Sequence, residues 1–418
     1  MKSGGEQHRM DELKQIGEMI YSNVQWIFSG IGVAVISILG GKAAVKKVKR
    51  KQKAKNQGVN ISSDKDINSE NILTQTAGEN SKNLNVMGDY HEGLSYKDAR
   101  QVALDVFKAN SSVYTEIAKK TIDERVVNIT DDIFTMIYSE LPDTVEKLVE
   151  PAVQDTLLKI QKEYAKNDDP ALKERLIALL KNRLKADEKD METIVLDEAL
   201  EIVPKLTGIQ LNILSLNLTV LRILHHEVTN RDTFFHMLTS KILLFYSNHM
   251  SKTMEYAHLQ YLGCTGILSE GSTYKPIEEI FRNRYAGLFS RGFSREEFYE
   301  YMGIEIQEFQ QLITTCQIDK EKYQFNAMNE NVLKYSIAQS GKQEYEEKLL
   351  QYHKEHIMEV KEIKDDISSH VQGFEELADF WKKTSEFKSM NLTSVGIEIG
   401  LLNYNLQTGS KIQWKDFI

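Results

Sequence analysis

A chain of 418 residues, 41% hydrophobic and 27% charged with only five prolines, carries apolar material for roughly two or three packed domains and excludes wholesale disorder. Cys264 and Cys316 are its only cysteines, which excludes a disulfide framework and suits a reducing compartment. The formal charge is −9, and eight basic side chains without an acid between residues 42 and 55 leave −17 on the rest. Such an acidic body argues against broad nonspecific binding to nucleic acid.

The first organised stretch is apolar. Between Val24 and Val45 the only charge is Lys42, near the end, and about 20 predominantly apolar residues cross a bilayer core. The pattern predicts a transmembrane helix over 24–45 behind a tail of residues 1–23. Lys2, Arg9 and Lys14 precede it alongside Glu6, Asp11, Glu12 and Glu18, whereas Lys46, Lys47, Lys49, Arg50 and Lys51 follow it. Positive charge on the far side places that end in the cytoplasm and the amino terminus outside; a cleaved signal peptide has the opposite order. The basic juxtamembrane segment, 46–60, is placed to meet anionic lipid headgroups. Gly30 with Ala34, and Ser37 with Gly41, have the small-xxx-small spacing that permits close helix contact in a membrane.

Residues 61–93 are rich in Asn, Ser, Gly and Asp with isolated aliphatics. Asn68-Ser69-Glu70-Asn71-Ile72 recurs twelve residues later as Asn80-Ser81-Lys82-Asn83-Leu84, and Gly78 and Gly88 separate short strand candidates. So few apolar side chains close no core within one chain. Stacked copies from several chains would make this β-prone neck a homo-oligomerising element; a solvated linker has the same composition.

From residue 94 the signals are helical. Ser95 with Asp98 is of capping-box type, and Ala99, Val102, Ala103, Val106 and Phe107 follow a helical stripe. A second stripe, through Val113, Ile117, Ile122, Val126, Ile133, Phe134 and Ile137, runs from about Ser112 to Glu140 and stops at Pro142. Further helices extend to about Lys166, open at Asp169-Pro170, and begin near Asp187. Thr207 with Gln210 forms another box, opening Leu211, Leu214, Leu218, Leu221 and Leu224. The expectation for 94–255 is an antiparallel array of helices, apolar on one face and charged on the other. The second region, 256–418, starts with glycine-rich loops and restarts at a box of Ser294 with Glu297. It continues with one or two long helices over 345–388, and Thr393 caps a closing element over 391–418.

Three constellations invite chemistry. His225-His226-Glu227 suggests a metal, yet adjacent helical positions face apart and no HExxH spacing is present; solvated or cap-adjacent histidines are the plainer reading. Cys264, with His249 and His258 upstream, is a candidate reactive thiol or a small packed residue. Phe281, Tyr285, Phe289 and Phe293 recur every four residues, interleaved with Arg282, Arg284, Arg291 and Arg295. Arginine beside aromatics suits phosphate contact with base stacking, and the same spacing describes a helix face on the core with solvated arginines. GxxxxGK[ST], GxSxG, paired-carboxylate and zinc spacings do not occur, which points away from an enzyme and implies no cofactor and no metal.

Several stretches resemble an uncharacterised family of bacterial membrane-anchored proteins: Gly78-Glu79-Asn80-Ser81, Gly93-Leu94-Ser95-Tyr96 with its helix, IVLDEALEIVPKLTGIQLNIL from Ile194 to Leu214, HLQYLGC from His258 to Cys264, and GLFSRGF from Gly287 to Phe293. The resemblance implies no activity or ligand, but marks HLQYLGC and GLFSRGF as candidate functional surface. The GENS element also resembles those of some bacterial conflict proteins, which suggests phage defence. The fold expected is mainly α: one N-terminal transmembrane helix, a short β-like polar neck and a cytoplasmic multi-helix array in the bacterial inner membrane. The function expected is a sensor or interaction domain acting by homo-oligomerisation in contact with membrane lipid, triggered by an unknown protein or nucleotide. The alternatives are a membrane-tethered enzyme or binder acting on nucleotide or nucleic acid, and a passive scaffold.

Overall fold

Short polar side chains open several of the helices in this chain. Thr207 Oγ1 accepts from Gln210 N at 3.2 Å while Gln210 Oε1 accepts from Thr207 N at 3.0 Å, and Ser294 with Glu297 makes the same reciprocal box; Thr393 Oγ1 caps through Gly396 N. These bonds satisfy amides that a helix start leaves without partners. A computed structural model describes residues 96–110, 116–186, 190–268 and 272–417. The expectations for the tail, the transmembrane segment at 24–45, the basic segment at 46–60 with its lysines and Arg50, and the neck at 61–93 lie outside these residues. Among the described residues no helix is long and apolar enough to cross a membrane.

The described residues are mainly helical and divide into two compact units, the first ending at Lys185 and the second beginning at Ala186. The first contains α1 (Tyr96–Asn110), α2 (Glu116–Glu140), α3 (Pro151–Asn167) and α4 (Pro170–Lys185). Pro142 ends α2 as expected and opens a 3-10 turn, Pro142–Val149, because proline cannot supply the next helical hydrogen bond. Helix α2 touches α1, α3 and α4, burying Val126, Ile133, Phe134 and Ile137. Its expected stripe starts late, since Ile117 is 85% exposed. The buried amide of Gln161 is satisfied by Thr130 Oγ1 at 2.9 Å, as a dry core requires.

The second unit contains α5 (Met191–Ile202), α6 (Gly208–Leu221), α7 (Arg231–Met237), α8 (Thr253–Tyr261), α9 (Ile277–Arg284), α10 (Arg295–Met302), α11 (Glu330–Ser340), α12 (Glu346–Glu355), α13 (Val360–His370), α14 (Phe374–Lys383), α15 (Ser385–Ser389) and α16 (Ser394–Thr408). Two antiparallel pairs join them, β1 (Thr265–Ile267) with β4 (Met390–Leu392) and β2 (Ile313–Thr315) with β3 (Tyr323–Phe325). The boundary expected near residue 255 falls inside this unit, where Gln210 Nε2 lies 2.9 Å from His258 Nδ1.

Helix α6 has no charged face. Leu211, Ile213, Leu214, Leu216, Leu218 and Val220 are all buried, and so is every residue of α16 from Val395 to Tyr404. Leu224, expected on the α6 stripe, lies past the helix end and is 65% exposed. The two helices pack on each other, and glycine makes the approach feasible. A Cβ on Gly400 would stand 3.1 Å from the Leu214 backbone, and one on Gly396 only 1.9 Å from Cys264 O. Of the element expected to close the chain at 391–418, the stretch from Val395 to Tyr404 is therefore core. The long helices expected over 345–388 are instead four, α12 to α15. The chain leaves helix after α12 so that Ile357 can bridge to Ser290 and Met358 N can donate to Phe289 O at 2.9 Å, and Gly373 breaks it again at φ +87°.

Gly396→Ala is expected to destabilise the second unit by roughly 2–4 kcal/mol, because the methyl must displace backbone rather than a flexible side chain. A Cβ on Gly208 meets nothing within 4 Å, so Gly208→Ala should be neutral or stabilising by up to about 1 kcal/mol. Thermal melts of the two variants check the contrast; equal melting temperatures would contradict it.

Candidate functional site

The aromatic-arginine segment is not one helix. Its four-residue spacing crosses the end of α9 at Arg284, a 3-10 turn at Ala286–Phe289 and an extended stretch to Phe293. All four rings are buried, and Phe234 is the hub for three of them, with centroids 5.5, 5.4 and 5.5 Å from Phe281, Tyr285 and Phe289. These are edge contacts of the favoured kind.

The arginines work inside the framework. Arg284 donates to the carbonyls of Leu221 and Ile223, each at 3.3 Å, where the C-terminus of α6 presents unsatisfied acceptors and partial negative charge. Arg282 Nε donates to Met358 O at 3.0 Å. Arg291 donates to Ile357 O at 3.4 Å and pairs with Glu362. Arg295 is the exposed member; it donates to the Tyr323 hydroxyl at 2.8 Å and stands 5.4 Å above that ring. Each of the four guanidinium groups thus has a partner within the chain, so the solvated arginines of the sequence reading are engaged ones.

HLQYLGC is half buried and half exposed. Cys264 is fully buried, and burial pushes its thiol up to about 12, far from the thiolate that a nucleophile needs. Of the two histidines, His258 is engaged elsewhere: it bonds Gln210 and stacks on Tyr261 at 6.5 Å. Cys264 O instead accepts from Thr393 N at 3.1 Å and from Thr393 Oγ1 at 3.0 Å. The outer side of the same segment is apolar. Met254 is 79% exposed, Tyr261 85% and Ile267 on β1 70%, with exposed Ala257 between them. Met254, Ala257, His258 and Tyr261 stand at i, i+3, i+4 and i+7 along α8, one stripe of a helix. Burial of Tyr256 and Leu259 on the other side of the helix turns this stripe outward.

His225 is packed, not solvated, with its ring 3.4 Å from Thr219 O and from Glu227 Oε1; burial holds its pKa below the ordinary histidine value. Among the described residues no three His, Cys, Asp or Glu side chains come together as a metal site. Two groups had no signal in the sequence reading. Arg231 Nη2 donates to both carboxylate oxygens of Asp366, at 2.7 and 2.9 Å, and His353 is buried with Nε2 unpartnered. In the first unit a cavity of about 40 Å³ lies among Ala103, Val106, Phe134 and Leu157, too small for ligands whose pockets measure some hundreds of Å³.

Removing the Arg284 guanidinium leaves two carbonyls at the end of α6 unpaired, so Arg284→Ala should cost roughly 1.5–3 kcal/mol, and Arg295→Ala at the surface under about 1 kcal/mol. Denaturant unfolding measures both; a larger loss at Arg295 than at Arg284 would contradict the framework role.

No curated protein and no solved structure matches this chain. A family model whose description reads only ":-like", naming no activity, matches residues 93–418, well over half of the chain. The chain belongs to that family.

Proposed function

We propose that residues 96–417 form an interaction domain that is held at the inner membrane by the 24–45 segment and works by assembling copies of itself. The observation that carries this reading is the outward stripe of α8, continued by Ile267. Apolar side chains of this size grouped on one segment favour a protein contact, in which methionine and tyrosine are over-represented. The stripe is seated from beneath, since Tyr256 OH donates to Met250 O at 2.7 Å and Thr207 Oγ1 lies 3.4 Å from Glu255 Oε2. A firmly held face loses little conformational entropy on association. In this reading Lys46, Lys47, Lys49, Arg50 and Lys51 hold the chain base to anionic lipid, and the 61–93 neck adds to the assembly. The nucleotide alternative is less favoured, because the arginines it relies on are engaged elsewhere.

The test is the mass of the full chain in mild detergent. A multimer is expected for the native sequence, with partial or complete dissociation on combining Met254→Asp with Tyr261→Asp, and also on deleting residues 61–92. A native chain that runs as a monomer, or a multimer indifferent to both changes, would sink the reading.

A further inference from the structure

The GLFSRGF segment divides the second unit internally. Beyond it, residues 294–357 surround a core in which Phe298, Phe309, Phe325, Leu333, Leu349 and Tyr352 pack together, and Phe293, the last residue of the segment, inserts its ring among them, 5.5 Å from Phe325 and 5.1 Å from Tyr352. The segment itself runs as a strap along this lobe. On one side Gly287 N donates to Met328 O at 3.0 Å, and Phe293 and Tyr323 exchange backbone bonds at 2.9 Å in each direction. On the other side Arg291 N donates to His356 O at 2.8 Å, and Met358 N to Phe289 O at 2.9 Å. The fit is tight: a Cβ on Gly287 would stand 2.1 Å from Ala327 O, and Gly292, at φ +70°, lies against Cys316 and Lys322.

One polar group in this lobe is out of place. His353, on α12, is only 4% exposed, its ring stands edge-on to Phe325 at 5.6 Å, and its Nε2 is buried without a hydrogen-bond partner. The hydroxyl of neighbouring Tyr352 is likewise unpartnered. The charges around the imidazole are few. Helix α11 brings Glu330, already paired with Lys334; α12 itself brings Lys354, Glu355 and His356; α10 brings Glu297 and Tyr301 to the side of Tyr352; and β3 brings the uncharged Phe325.

We propose that the 294–357 lobe is an acid-released latch: protonation of His353 opens it from the 287–293 strap while the α6–α16 core remains folded. An imidazolium at Nε2 would sit in an apolar core without an acceptor, which strongly disfavours the closed form. Burial accordingly lowers the His353 pKa from 6.5 to about 4. Because the closed-state value is the depressed one, the latch is at full strength above 6.5 and weakens as pH falls toward about 4. Across that interval the equilibrium constant for opening should rise on the order of 100-fold.

Hydrogen exchange of the full chain, followed by mass spectrometry and corrected for the intrinsic pH dependence of the rates, tests this. Protection in 294–357 should fall across the interval while protection in α6 and α16 holds. His353→Phe and His353→Gln, one apolar and one polar but neither titratable, should each flatten the response, so that either folded variant suffices. Lobe and core losing protection at the same pH, a lobe indifferent to pH, or an undiminished response in a folded variant would each overturn the latch.

Discussion

The second unit depends on the approach of α16 to the backbone of α6 and of the Cys264 turn. Each helix is apolar almost all the way round, so neither has a face that water would solvate, and each must be enclosed. Gly396 and Gly400 let α16 sink to backbone contact, and a polar ladder then sets its register. Ser215 Oγ donates to Gly400 O at 2.9 Å, Asn403 Nδ2 donates to Ser215 Oγ at 2.8 Å, and Gln407 Nε2 reaches Asn212 Oδ1 at 3.1 Å. Helices without such a ladder would find many equivalent sliding positions, since dispersion and area burial are nondirectional.

The stretches that carry the family resemblance acquire a physical meaning from this arrangement. IVLDEALEIVPKLTGIQLNIL spans α5, the turn that follows and the first half of α6. HLQYLGC ends where Cys264 O receives the cap of α16. GLFSRGF is the strap that borders the 294–357 lobe. Each glycine in these last two segments answers a specific constraint: Gly263 and Gly292 at positive φ, Gly287 at a carbonyl contact. Steric necessity accounts for most of GLFSRGF, whereas in HLQYLGC the Tyr261 side chain is 85% exposed.

Much of the local structure was legible from short-range chemistry. The capping pairs Thr207 with Gln210 and Ser294 with Glu297, and the cap at Thr393, appear where side-chain spacing puts them, and Pro142 ends α2. Long-range facts were not legible. Periodicity cannot assign a face to α6 or α16, because they have none, and it extended helix across Ile357 because only the partnering strap diverts the chain there. The aromatic-arginine spacing looked like a surface since sequence does not reveal that the acceptors are the carbonyls of Leu221, Ile223, Ile357 and Met358. His353 stood in a charged run, and its burial comes from packing against β3.

The reliance of the second unit on its last long helix is most directly tested by ending the chain after Leu392 and measuring amide exchange in α6. Without α16, the buried face of α6 from Leu214 to Leu218 becomes wet and Ser215 loses both Gly400 and Asn403. Protection of the α6 amides should then fall by at least about 100-fold relative to the full chain. Protection in α6 that survives the truncation unchanged would contradict the account.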